Sequence, residues 1–105
     1  MDLNSKPTLQ DLQAHIKDVC EKNGWDKNSI TEIYLLFSEE VGELARGIRN
    51  VTGLKGKPDE TARQNLEEEF ADVLMYLMDM ANYFSIDLET AYRKKIQANA
   101  TRKWK

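Results

Sequence analysis

The chain has 105 residues, of which 41% are hydrophobic and 31% charged, a balance that fits one folded domain over residues 1–105 and excludes a disordered polar chain. A net charge of −3 argues against nucleic acid as the main partner. The longest apolar run, Val73 to Met78, falls far short of the roughly 20 residues a membrane span needs, and the lone Cys20 excludes an internal disulfide and fits a reducing, cytoplasmic setting.

Periodicity predicts four helices in chain order. Thr8, followed three residues later by Asp11, predicts the first start, with Leu9, Leu12, Ile16, Val19 and Cys20 at helical spacing and Asn23-Gly24 as the stop. Ser29-Ile30-Thr31-Glu32 is a capping box that opens the longest helix, whose apolar stripe runs through Ile33, Phe37, Val41, Leu44 and Ile48. Gly53, Gly56 and Pro58 mark a loop over about 50–59. Leu66, Phe70, Val73, Leu74 and Leu77 define a third helix, and Asp87 caps a fourth, with Ile86 placed as a hydrophobic staple. No segment alternates with period two, so the fold class is all-α. The apolar stripes on the two long helices are wide enough to predict self-association, as a homodimer or homotetramer.

The second helix carries Glu39, Glu40 and Glu43, and the third carries Glu67, Glu68, Glu69 and Asp72. At 100° per residue Glu40 falls on the margin of its apolar stripe, with Glu43 about 60° further out. On the third helix Glu69 and Asp72 share one flank with Tyr76, while Glu68 points to solvent. Solvated helix faces explain many acids in a chain with 18 of them. Carboxylates at a core margin are different: they cost desolvation, and no basic residue shares their flank within the third helix. Four acids converging between helices imply a divalent cation. All-oxygen ligands without an EF-hand loop favour magnesium, with manganese as a substitute, and so many acids beside a bound anion make sense if two or more ions carry a phosphate, which points to phosphoryl or nucleotidyl chemistry.

Glu39-Glu40-Val41-Gly42-Glu43, with 25 residues separating Glu43 from Glu69, then Glu69-Phe70-Ala71-Asp72, resembles the EExxE…ExxD signature of the MazG-like all-α nucleotide pyrophosphohydrolases. Lys95, Asn99 and Arg102, in a KxxxNxxR spacing, resemble the closing segment of the small dCTP-pyrophosphatase-like members. The resemblance covers about 30–102 and implies a four-helix MazG-like fold. It also implies magnesium-dependent cleavage of a (deoxy)nucleoside triphosphate between its α and β phosphates, a nucleotide-pool cleaning reaction.

Carried over residue by residue, Glu40, Glu43, Glu69 and Asp72 are the metal ligands. Glu39 orients or deprotonates the attacking water, or holds a further ion. Lys95, Asn99 and Arg102 reach the phosphates. Tyr76, Trp25 and His15 are the candidates for contacting the nucleoside, although packing explains the two aromatics nearly as well and a structural role explains His15 better. One departure stands out: Arg46-Gly47-Ile48-Arg49-Asn50 follows the first acidic block where many relatives carry a tryptophan, so base preference does not transfer. The competing reading is a non-catalytic helical interaction module whose acids meet a partner's basic surface.

Overall fold

The computed structural model describes residues 2–54, 56 and 61–101. Among them are four α-helices and no strand: α1 (Leu9–Lys22), α2 (Ile30–Thr52), α3 (Ala62–Tyr83) and α4 (Leu88–Thr101), with a short 3-10 turn at Trp25–Lys27 between α1 and α2. None is long and apolar enough to cross a membrane.

Each helix start follows its local chemistry. The Thr8 hydroxyl accepts from the Asp11 amide while the Asp11 carboxylate accepts from the Thr8 amide, and Ser29 and Glu32 exchange the same reciprocal pair, so two orphan donors are satisfied at each start. At α4 the Asp87 carboxylate accepts from the Thr90 amide and hydroxyl. The expected staple is not buried: Ile86 is 47% exposed, and its carbonyl is what this corner uses.

Helix ends differ from the expected loop in one place. α2 runs on to Thr52, and Gly53 then takes a left-handed φ of 73° and returns its amide to the Arg49 carbonyl. Glycine bears this conformation without a Cβ penalty. Lys55 and residues 57–60, the rest of the expected loop, lie outside the described residues, as do Arg102 and Trp104.

The chain divides into two compact units. One comprises residues 1–27 and 81–105, hence α1, the end of α3 and α4. Its centre is Gln13, a buried polar side chain that donates to the Ile86 carbonyl and accepts from the Leu88 amide, while its own backbone carbonyl accepts from Asn82. The apolar members of this core are Ile16, Cys20 and Ala81. The other unit, residues 28–80, is the pair α2 and α3. Ile33, Ala62 and Met78 are buried there.

Candidate active site

The acid-bearing helices lie against one another within the 28–80 unit. Glu40 stands opposite Glu69 and Asp72, and about two turns further along α2 Gly47 stands opposite Leu66. Rising numbers on α2 meet falling numbers on α3, so the two run antiparallel. A glycine at 47 makes this approach possible: a Cβ there would lie 3.1 Å from Leu66 Cδ1 and 3.8 Å from its Cα.

Three carboxylates converge at this contact. One oxygen each from Glu40, Glu69 and Asp72 lies within 4.8 Å of the other two, and all three residues are partly buried. Burial raises the Glu40 pKa above the ordinary carboxylate value of 4.5, and a hydrogen bond with Glu69 and the charges of Asp72, Glu69 and Glu43 push it the same way. Oε2 of Glu69 is buried without a hydrogen-bond partner. Like charges and an unsatisfied buried acceptor are both costs, and a cation among the oxygens removes both. Oxygens bound to one ion at about 2.0–2.4 Å stand at most roughly 4–5 Å apart, and the three oxygens lie within that limit. The donor set therefore fits one hard divalent ion.

The remaining expected ligand, Glu43, is exposed and outside this triad, although its charge acts on Glu40. Glu39 and Glu68 are exposed. Tyr76 is half-buried on α3, one turn beyond Asp72. The other expected contacts belong to the unit of residues 1–27 and 81–105. Lys95 is exposed on α4, and Asn99, one turn on, keeps a buried Oδ1 with no hydrogen-bond partner. Trp25 sits in the 3-10 turn between α1 and α2 and is 52% exposed, and His15 is half-buried on α1. Arg102 is not among the described residues.

Sequence reasoning passed over Gln13, which occupies a core position between Leu9 and Ile16 at helical spacing. A polar residue on an apolar stripe was the available signal, and its role is to join the α3–α4 corner to α1.

The profile of the MazG nucleotide pyrophosphohydrolase domain matches residues 28–104, a stretch that contains the whole triad. The chain belongs to the MazG nucleotide pyrophosphohydrolase family. Uncharacterized protein YpjD of Bacillus subtilis is 32% identical over 98 residues, covering 93% of this chain and 88% of its own. A crystal structure of YPJD aligns with a TM-score of 0.79 over 95% of this chain and all of that one. That of the Bacillus-conserved MazG protein, a nucleotide pyrophosphohydrolase, gives 0.76 at 30% identity, covering 95% and 97%. Bovine dCTP pyrophosphatase 1 is 29% identical over 109 residues, covering 94% of this chain and 61% of that longer protein. Membership in the MazG family makes the chain an enzyme of the pyrophosphohydrolase type and identifies its fold with that of the MazG structures.

Proposed function

We propose that this MazG-family chain hydrolyses (deoxy)nucleoside triphosphates between the α and β phosphates, releasing a nucleoside monophosphate and pyrophosphate. The carboxylate triad of Glu40, Glu69 and Asp72 carries this reading, because three converging acids with a raised Glu40 pKa and an unpartnered Glu69 oxygen make chemical sense around a cation. Magnesium, or manganese in its place, is the ion we assign, with Glu43 as a fourth ligand. Bound there it would supply positive charge where negative charge develops on the α-phosphate and on the departing pyrophosphate.

The chain's own groups do the rest. Glu39, exposed on the same helix, orients the attacking water and takes its proton. Lys95, Asn99 and Arg102 donate to phosphate oxygens, as a point charge, a neutral amide and a bidentate guanidinium respectively. The unpartnered Oδ1 of Asn99 leaves that side chain an acceptor still to be satisfied. Tyr76, Trp25 and His15 contact the nucleoside, the two aromatics by stacking. We further propose that residues 1–105 act as one domain in the cytoplasm, as a homodimer or homotetramer, with a nucleotide rather than nucleic acid or a membrane as the partner.

The test is a panel of ribo- and deoxynucleoside triphosphates incubated with magnesium, with products separated by chromatography. Monophosphate and pyrophosphate are expected from at least one. Release of nucleoside diphosphate and phosphate from all that react, or no hydrolysis across the panel, overturns the reading.

A further inference from the structure

Between Asp72 and Asp87 the chain carries a single charged residue, Asp79. Its neighbours Leu77, Met78, Met80 and Ala81 are apolar, Met78 and Ala81 are buried, and Asp79 itself is half-buried on α3. Aspartate is a poor helix former in a helix interior, and at this place its carboxylate loses part of its hydration. The metal triad does not include it.

Asp79 belongs to the same 28–80 unit as the triad and to the same flank of α3. At 100° per residue, counted from Glu69, Tyr76, Asp72 and Asp79 lie about 20°, 60° and 80° round the helix in one sense. At 1.5 Å per residue Asp79 stands about 10 Å along the axis from Asp72, with Tyr76 between them. This is the reach of a nucleotide from its α-phosphate, across the sugar, to the pairing edge of its base. In the other direction the flank carries Asn65 and Thr61, which offer no ring for a base to stack on. An α-phosphate at the ion of the triad therefore sends the sugar and base over Tyr76, and the far edge of the base arrives at Asp79.

An ionised carboxylate accepts hydrogen bonds and donates none. Among the pairing edges of the bases only that of guanine offers two donors side by side, N1–H and the 2-amino group. Cytosine and adenine place a bare ring nitrogen beside their amino group, and thymine and uracil flank one N–H with two carbonyl oxygens. Each of these sets a lone pair against a carboxylate oxygen. Two parallel bonds to one charged acceptor are strong and directional. Asp79 also takes part in an interaction within the chain, but its two oxygens offer about four acceptor positions, enough for that partner and a base.

We propose that Asp79 reads the base of the substrate and selects guanine, its two oxygens accepting from N1–H and the 2-amino group while Tyr76 supports the ring. This deepens the hydrolytic reading and rests on it for the position of the α-phosphate.

The experiment measures kcat/KM with magnesium for dGTP, dITP and dXTP, whose bases carry an amino group, a hydrogen and a carbonyl oxygen at position 2. The natural chain is expected to favour dGTP over dITP by about 10-fold or more, the worth of one hydrogen bond to a charged group, and over dXTP by more again. Asp79→Asn keeps the shape of the side chain but turns one acceptor into a donor, which suits the 2-oxo group of xanthine, and is expected to reverse the preference to dXTP. A side chain that only supported the helix would lower all three alike. Equal kcat/KM on the three substrates for the natural chain, or a uniform loss in the variant, overturns the proposal. The comparison within the natural chain decides alone if the variant does not fold. If no triphosphate is hydrolysed, the hydrolytic reading fails and the base reading is decided by calorimetric titration with dGMP, dIMP and dXMP in magnesium. Tighter binding of dGMP supports the role of Asp79, and equal binding overturns it.

Discussion

Gly47 and Leu66 set the spacing between the two acid-bearing helices: the bare Cα at 47 leaves room for a Leu66 methyl that a Cβ would meet at 3.1 Å. Every residue of the triad is carried by one of these two helices. A change at Gly47 is therefore a change in how far apart the three carboxylates stand, although the residue is not one of them.

The two glycines of α2 separate this effect from helix propensity. Gly42 has nothing within 4 Å of a built Cβ, so Gly42→Ala should stabilise by about 0.5–1 kcal/mol, the helix-interior cost of glycine. Gly47→Ala gains the same propensity but must push the Leu66 methyl aside, and should be near neutral. Gly47→Leu should cost about 1–3 kcal/mol through overpacking and weaken divalent-ion binding as well. Thermal denaturation followed by circular dichroism checks all three.

Removing one charge from the triad should stabilise the metal-free protein while abolishing its response to metal. Folding raises the Glu40 pKa, so the protonated form is the one the fold prefers. Its favourable contribution is present below the ordinary carboxylate value and is lost as pH rises through the raised folded value. In chelator at neutral pH, Glu40→Gln should therefore melt above the natural chain, with the gap shrinking as pH falls towards 4.5. Magnesium at about 100 times its Kd should stabilise the natural chain by about 2.7 kcal/mol and the variant much less. Scanning fluorimetry with and without magnesium reads both effects, and a variant that melts below the natural chain in chelator contradicts the repulsion argument.

Turnover should follow the ligand set rather than the acid count. Asp72→Asn and Glu43→Gln should each lower kcat on the order of 100-fold or more, since even residues that only support a metal ligand are worth 10–100-fold. Glu68→Gln, an exposed acid on the same helix, should leave it unchanged. Steady-state kinetics with the best nucleotide of the panel, alongside far-ultraviolet circular dichroism, checks this. Equal losses at Glu68 and Asp72 would sink the assignment.

The end of α3 stores a correctable strain. Ser85 has φ of 56°, with its amide donating to the Asn82 carbonyl and the Ile86 amide to the Ala81 carbonyl. This is a Schellman motif with serine at the left-handed position where glycine is favoured. Ser85→Gly should add about 1 kcal/mol, seen as a Tm higher by about 4–8 °C for a domain of this size. Gln13→Ala should move it the other way by about 1–3 kcal/mol, because the Ile86 carbonyl and the Leu88 amide lose their shared partner. The same melting experiment reads both.

Local signals determined much of this protein. Thr8 with Asp11, and Ser29 with Glu32, start their helices because the cap chemistry is complete within four residues, and helical periodicity placed Glu40, Glu69 and Asp72 on the flanks where they are found. The chemistry of the cluster was also legible, since its members are all carboxylates, the donor type that suits a hard ion. Tertiary structure alone decided which acids meet. Convergence within 4.8 Å depends on the axial register of α2 against α3, which Gly47 and Leu66 set across a gap in sequence that periodicity does not measure, and the same register leaves Glu43 at the rim. The Gln13 hub was hidden for the same reason: its partners Asn82, Ile86 and Leu88 lie some seventy residues along the chain, and a hydrogen bond between distant segments exists only once both have been folded into place.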